Sequence, residues 1–87
     1  MKARPHLTPV IPNGSAIKAG RYLADLTQRE LARMSACHVG TLNRIENTEG
    51  RVSAHTATLL RILSALYEHG VEIETEGSQT IIRKQHA

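Results

Sequence analysis

The amino-acid sequence predicts a small, mainly α fold of four or five helices that ends in a β-hairpin. Two short amphipathic segments joined by a tight turn occupy residues 27–46. A leucine-rich segment over 59–66 repeats apolar residues at helical spacing, and apolar and acidic residues then alternate over 71–75, which is strand spacing. Because the chain has 87 residues, it can form one small domain with a modest core.

Composition divides the chain into three parts. Residues 1–14 hold all three prolines and show no helical period, so we expect an irregular, partly flexible N-terminal arm. Residues 15–70 carry the helical patterns. Residues 71–87 hold the predicted hairpin, with its turn at 76–79, followed by a flexible tail.

Local signals place the starts of the predicted helices. Thr27 and Glu30 have the spacing of a capping box, so a helix should begin at Gln28. Ser15 and Ser53 are suited to cap the first and the last helix.

Two glycines have predicted structural roles. Gly20 costs the first helix roughly 1 kcal/mol of propensity relative to alanine, so we expect another element to approach it closely. Gly70 supplies the left-handed residue that ends the last helix.

The segment over 27–46 reads as a helix-turn-helix. Ala32 and Ala36 are small enough to let the two helices approach around the turn, and Leu42 and Ile45 form the inward side of the second helix. Its outward positions are Val39, Gly40, Asn43, Arg44 and Asn47. In a helix-turn-helix the second helix can enter the major groove of DNA.

The same segment resembles a known family of DNA-binding proteins. The spacing of ten residues is similar to the pattern of the xenobiotic-response-element (XRE) family, which includes phage repressors and Cro, and the resemblance runs over 17–66. The ten are Thr27, Gln28, Leu31, Ala32, Ala36, Thr41, Leu42, Arg44, Ile45 and Glu46. The resemblance implies a lambda-repressor-like domain that binds operator DNA. Asp25 differs from the family, which commonly has glycine after the first helix.

The predicted DNA-contacting residues come partly from the resemblance and partly from their chemistry. The resemblance implies that Gln28 contacts DNA, that Val39, Gly40, Asn43 and Arg44 face the groove, and that Arg21 pairs with Glu46. Basic and amide side chains can also contact phosphates and base edges, as can a basic N-terminal arm. The full set is Gln28, Arg29, His38, Val39, Gly40, Thr41, Asn43, Arg44, Asn47, Thr48 and Arg51.

The hairpin suggests a dimer. An isolated two-stranded hairpin is marginal in water, so we expect it to pair with the hairpin of a second copy through Val71, Ile73 and Ile81. The alternative is a hairpin that packs on its own domain.

Charge is unevenly distributed. Residues 1–61 hold nine Lys or Arg against four Asp or Glu, a net charge of +5, whereas residues 62–87 have a net charge of −2. The basic part coincides with the helix-turn-helix and would attract a polyanion, although ordinary surface charge is the alternative reading.

Other classes of function have no positive signal in the sequence. We find no phosphate-binding loop, nucleophile elbow or chelating spacing of the five histidines, so the sequence predicts no enzyme, cofactor or metal site. Cys37 is the only cysteine, read either as a small core residue or as a redox switch. No apolar run reaches the length of a membrane span, and a cytoplasmic location is expected.

These observations predict a sequence-specific, dimeric transcriptional regulator of double-stranded DNA, most simply a repressor at a palindromic operator. The alternative is an antitoxin-like interaction module that holds a toxin or another protein and regulates its own synthesis. The acidic strand residues Glu72, Glu74 and Glu76 are the docking place expected for such a partner.

Overall fold

Four helices precede a two-stranded antiparallel sheet in a computed structural model, which describes residues 13–48, 54–76 and 79–85. The elements are α1 (Gly14–Leu23), α2 (Gln28–Met34), α3 (Val39–Glu46), α4 (Thr56–Glu68), β1 (Val71–Glu76) and β2 (Gln79–Lys84). The prediction of a mainly α fold with a C-terminal hairpin is confirmed. Of the turn expected at 76–79, Glu76 and Gln79 belong to the strands, and Gly77 and Ser78 lie outside the described residues.

The start of α1 differs from the sequence prediction. Asn13 is the N-cap, and its Oδ1 accepts a hydrogen bond from the Ala16 N–H at 2.9 Å. The Ser15 hydroxyl donates to the same oxygen at 3.0 Å. The prediction that Ser15 caps this helix is therefore wrong, because Asn13, two residues earlier, accepts the hydrogen bond from the free Ala16 N–H.

The sequence prediction for α4 is confirmed at its C-terminal end. The N-cap is His55, which forms no side-chain capping bond, and the predicted cap Ser53 lies outside the described residues. At the other end Gly70 has a φ of 83°, in the left-handed region, so its predicted role is confirmed.

The core is built from aliphatic side chains of all four helices and β1. The chain has no Phe or Trp, so these smaller residues must fill the interior. The buried members are Ile17, Leu31, Ala32, Leu42, Ile45, Leu59, Ile62, Ala65, Leu66 and Val71.

The hairpin packs on its own domain. Ile73 lies opposite Ile82 in the antiparallel register, and both pack against the core. Val71 is only 1% exposed, because its side chain lies inside that core. The prediction that Val71 forms a dimer contact is therefore wrong. Ile81 lies opposite Glu74, on the other face of the sheet.

Gly20 brings α1 close to the hairpin. A Cβ at this position would lie 3.0 Å from Ile73 Cδ1 and 3.4 Å from Leu66 Cδ1. The close approach that the sequence predicts is therefore with β1 and α4, and it fixes the hairpin against the helical domain.

Candidate nucleic-acid interface

α2 begins at Gln28, as its capping-box residues predict. The Thr27 hydroxyl accepts from the Glu30 N–H at 3.0 Å, and Glu30 Oε1 accepts from the Thr27 N–H at 2.9 Å. These reciprocal bonds satisfy two donors that a helix start leaves free. The hydrogen bond from the Thr27 N–H is the main cause that lowers the pKa of Glu30, and the bond with the Thr27 side chain is the second.

A tight turn joins α2 to α3. Ala36 has a φ of 55°, in the left-handed region, and the Cys37 N–H then donates to the Ala32 carbonyl at 3.0 Å. The chain reverses within a few residues because one residue adopts this conformation. His38 follows as the N-cap of α3; it is exposed and forms no side-chain capping bond.

α3 is divided lengthwise into a buried and an exposed side. Leu42 and Ile45 are fully buried in the core, whereas Thr41 is half-buried. The exposed residues on or beside the helix are His38, Val39, Gly40, Asn43, Arg44 and Asn47. We call these six the outer face of α3. A Cβ at Gly40 would meet nothing within 4 Å, so this position is open space.

A buried ion pair connects α1 to α3. Arg21 Nε donates to Glu46 Oε2 at 2.7 Å and Arg21 Nη2 to Glu46 Oε1 at 3.0 Å, while Nη1 donates to the Leu26 carbonyl at 2.9 Å. The two side chains are 8% and 0% exposed. The hydrogen bonds to Glu46 raise the pKa of Arg21 despite its burial. These hydrogen bonds fix the C-terminal end of α3 against α1.

Gln28 extends this pair toward the outer face of α3. Its Nε2 donates to Glu46 Oε1 at 3.0 Å, and its Oε1 accepts from Asn43 Nδ2 at 3.4 Å. One amide side chain at the start of α2 thus contacts both the buried carboxylate and an exposed residue of α3. The structure therefore brings together Arg21, Gln28, Asn43 and Glu46.

Two side chains form hydrogen bonds with carbonyls at the C-terminal end of α3, and the start of α1 packs closely against this end. Asn47 Nδ2 donates to the Asn43 carbonyl at 2.9 Å, and the Thr48 hydroxyl donates to the Arg44 carbonyl at 2.6 Å. A Cβ at Gly14 would overlap the Ile45 carbonyl, so only glycine lets α1 begin there. The sequence predicts DNA contacts for Asn47 and Thr48, and it marks Gly14 only as part of a turn before the first helix. A glycine beside a helix N-cap was the one signal available.

The remaining predicted cations lie around α2 and α3. Arg29 and Arg33 are exposed on α2, and Arg44 is exposed on α3. Arg51 lies outside the described residues. These three arginines are therefore distributed over both helices of the predicted helix-turn-helix.

Arg61 is a basic residue that the sequence analysis missed. Its Nε donates to the Ser35 carbonyl at 2.8 Å, which holds the guanidinium beside the turn after α2. There it lines a depression of about 590 Å³ between that turn, α3 and the start of α4. The lining residues are Ala36, Cys37, His38, Thr41, Arg44, Ala54, His55, Thr58 and Arg61. We call this the basic depression, since its charged members are arginines.

Cys37 is half-buried and packs against the core. Burial raises the pKa of its thiol, so the thiol stays protonated at neutral pH. These features favour the reading as a small core residue over the redox switch.

Comparison with known proteins gives no relative from which a function could be transferred. No protein-family model matches this chain, and no similar sequence is found among curated proteins. Within the part of the chain that the structure describes, no helix has the length and apolar character needed to cross a membrane. The inference of function therefore depends on the geometry of α2, α3 and their neighbours.

Proposed function

We propose that this chain is a sequence-specific regulator of transcription in which α2 and α3 form a DNA-binding helix-turn-helix. One observation carries the proposal. α3 is fixed by Leu42, Ile45 and Glu46 on one side, while its other side presents exposed polar and basic residues. A helix that is rigidly held and exposed along one side has the form that the major groove admits.

The outer face of α3 supplies chemistry suited to base edges. Asn43 can pair bidentately with adenine, Arg44 with guanine or a phosphate, and Val39, at 41% exposure, can contact a thymine methyl group. Gly40 has no side chain that would hold the helix away from the bases. Each good base contact is worth about 1–3 kcal/mol of discrimination.

Basic residues around this face suit the DNA backbone. Arg29 and Arg33 are exposed on α2, and Arg44 is exposed on α3. Cations that neutralise phosphates release counterions, so affinity should fall steeply as salt increases. In a dimer, two such surfaces would read half-sites roughly 34 Å apart, and the bound protein would exclude polymerase from a promoter.

The geometry gives less support to the antitoxin-like alternative. Glu74 pairs with Arg83 at 3.2 Å, and Glu72 accepts from Gln85 Nε2 at 3.0 Å. These carboxylates thus already have partners within the hairpin, and the acidic docking place for a basic partner is correspondingly weaker. We therefore propose the regulator.

Selection of bound duplexes from a random pool, followed by gel-shift titration, tests the proposal. We expect an enriched half-site, and Asn43→Ala and Arg44→Ala should each weaken binding to it by about tenfold. Lys84→Ala is the matched control, because it also shortens an exposed polar side chain but lies on the hairpin, and its affinity should stay within about twofold.

Circular dichroism should show that both α3 variants keep their helical content. The proposal would be rejected if no duplex is enriched at low ionic strength, or if neither α3 variant weakens binding.

A further inference from the structure

α4 carries an exposed apolar ridge on the side that faces away from the core. Leu60 is 44% exposed and Tyr67 is 57% exposed, and the small, exposed Ser64 lies between them. Met34 of α2, at 39% exposure, lies beside the same ridge. Large apolar side chains collected on one surface of a small protein commonly mark a contact with another protein.

A shallow groove runs along each side of this ridge. The groove between α4 and β1 has a volume of about 330 Å³, and its lining residues are Leu60, Leu63, Ser64, Tyr67, Glu68, Glu72 and Ile73. The groove toward α2, of about 240 Å³, is lined by Met34 together with α4 residues. A ridge with a groove on either side is the surface that a second helix packs against.

The charges on this surface match a copy of itself that is turned by 180°. Arg61 and Glu68 both line the groove toward α2. They are seven residues, or about 10.5 Å, apart along the helix axis. If a second α4 crosses in the antiparallel direction at Ser64, Arg61 meets the partner's Glu68 and Glu68 meets the partner's Arg61. The small serine at the crossing lets the helix axes approach closely.

We propose that the ridge and grooves of α4 form the interface of a homodimer with two-fold symmetry. The occupant is a second copy of this chain, because the surface is complementary to itself in shape and in charge. The hairpin is a poorer interface, since its outer face carries the charged Glu74 and Arg83 beside the apolar Ile81. The proposal is independent of DNA binding, although it would give the proposed regulator its two reading helices.

Sedimentation equilibrium of the full chain, with charge-reversed variants, tests this interface. Arg61→Glu would place two glutamates together, and Glu68→Arg would place two arginines together. Each should raise the dimer dissociation constant by about tenfold or more, because like charges face each other across the contact. An equimolar mixture of the two variants should dimerise again, since each glutamate then meets an arginine.

Two further variants keep the test decisive. Leu60→Asp should abolish the dimer without touching the hydrogen bond from Arg61 to Ser35, in case Arg61→Glu unfolds the domain. Ile81→Glu on the hairpin should leave the dimer unchanged. The proposal is overturned if the wild-type chain remains monomeric at all concentrations, if Ile81→Glu alone disrupts the dimer, or if mixing the charge-reversed variants restores nothing. DNA plays no part in these measurements, so their failure is distinct from failure of the proposed function.

Discussion

Among the described residues, two other than glycine adopt the left-handed conformation, one before α2 and one after it. Asp25 has a φ of 61° and Ala36 a φ of 55°. This conformation brings Cβ close to the next carbonyl oxygen, which costs an alanine roughly 1–2 kcal/mol. Aspartate tolerates it better, because its short polar side chain can bond to nearby backbone. Ala36 is therefore the more strained of the two, and it lies in the turn that sets the angle between α2 and α3.

Replacing Ala36 with glycine should relieve this strain. We expect Ala36→Gly to raise the free energy of unfolding by about 0.5–1 kcal/mol, after subtracting the greater freedom of glycine in the unfolded chain. Asp25→Gly is the matched control and should gain less. Urea unfolding followed by circular dichroism measures both, and a lower midpoint for Ala36→Gly than for the wild type would contradict the strain.

At the level of the elements, the three helices after α1 begin in different ways. α2 begins with a complete capping box, whereas α3 and α4 begin at His38 and His55, neither of which forms a side-chain capping bond. The start of α2 is therefore stabilised locally, and part of that stabilisation depends on the ionised Glu30 carboxylate. α3 and α4 depend more on packing against the core.

The capping box should make α2 sensitive to acid. The pKa of Glu30 is lowered in the folded protein, so its contribution to stability is present above the unfolded pKa, about 4.3, and is lost as the pH falls through the folded pKa. Glu30→Gln keeps a side-chain acceptor for the Thr27 N–H but does not titrate.

Thermal melts between neutral pH and pH 3 should therefore show a smaller loss of Tm for Glu30→Gln than for the wild type. Parallel curves for the two proteins would show that the ionised carboxylate adds nothing at this position.

Sequence predicts these elements well where the signal is local. The capping box gives the start of α2, Gly70 gives the end of α4, and alternation over 71–75 gives β1, because each depends on a few neighbouring residues. The same local signals name the wrong cap for α1, since Asn13 and Ser15 are both good caps and only the structure distinguishes them. The sequence also favours pairing of the hairpin with a second copy, because an apolar strand side can cover its own helices or those of a second chain.

For the candidate DNA-binding site, too, local sequence signals predict one part of the arrangement and not the other. The helical period alone predicts which residues of α3 face outward. The contact of Gln28 with Asn43 and the position of Arg61 beside the turn depend on how the helices cross, and no pattern within one helix contains that angle.

At the scale of the whole molecule, one carboxylate joins three helices. Glu46 of α3 accepts hydrogen bonds from Arg21 of α1 and from Gln28 of α2, although Arg21 is 25 residues away in sequence. Because the guanidinium is buried, it cannot regain water if its partner is removed. The hydrogen bonds from Arg21 and Gln28 to Glu46 therefore hold α1, α2 and α3 in one arrangement, and their loss should affect the entire domain.

Glu46→Ala should destabilise the domain by about 3 kcal/mol, since an uncompensated charge would remain buried. In a chain of this size, that lowers Tm by more than about 10 °C. Glu74→Ala is the matched control: it breaks an exposed pair with Arg83, and its effect should stay within about 1 kcal/mol. Calorimetry measures both variants. If Glu46→Ala melts like the wild type but fails to bind DNA, the residue acts at the interface and not in the fold.

The empty space above Gly40 has a practical consequence for the proposed regulator. A Cβ at this position meets nothing within 4 Å, and residues that favour helices better than glycine would also strengthen α3. Variants that differ at residue 40 alone would prefer different operators in the proposed regulator, while the fold and the assembly of the protein would stay the same.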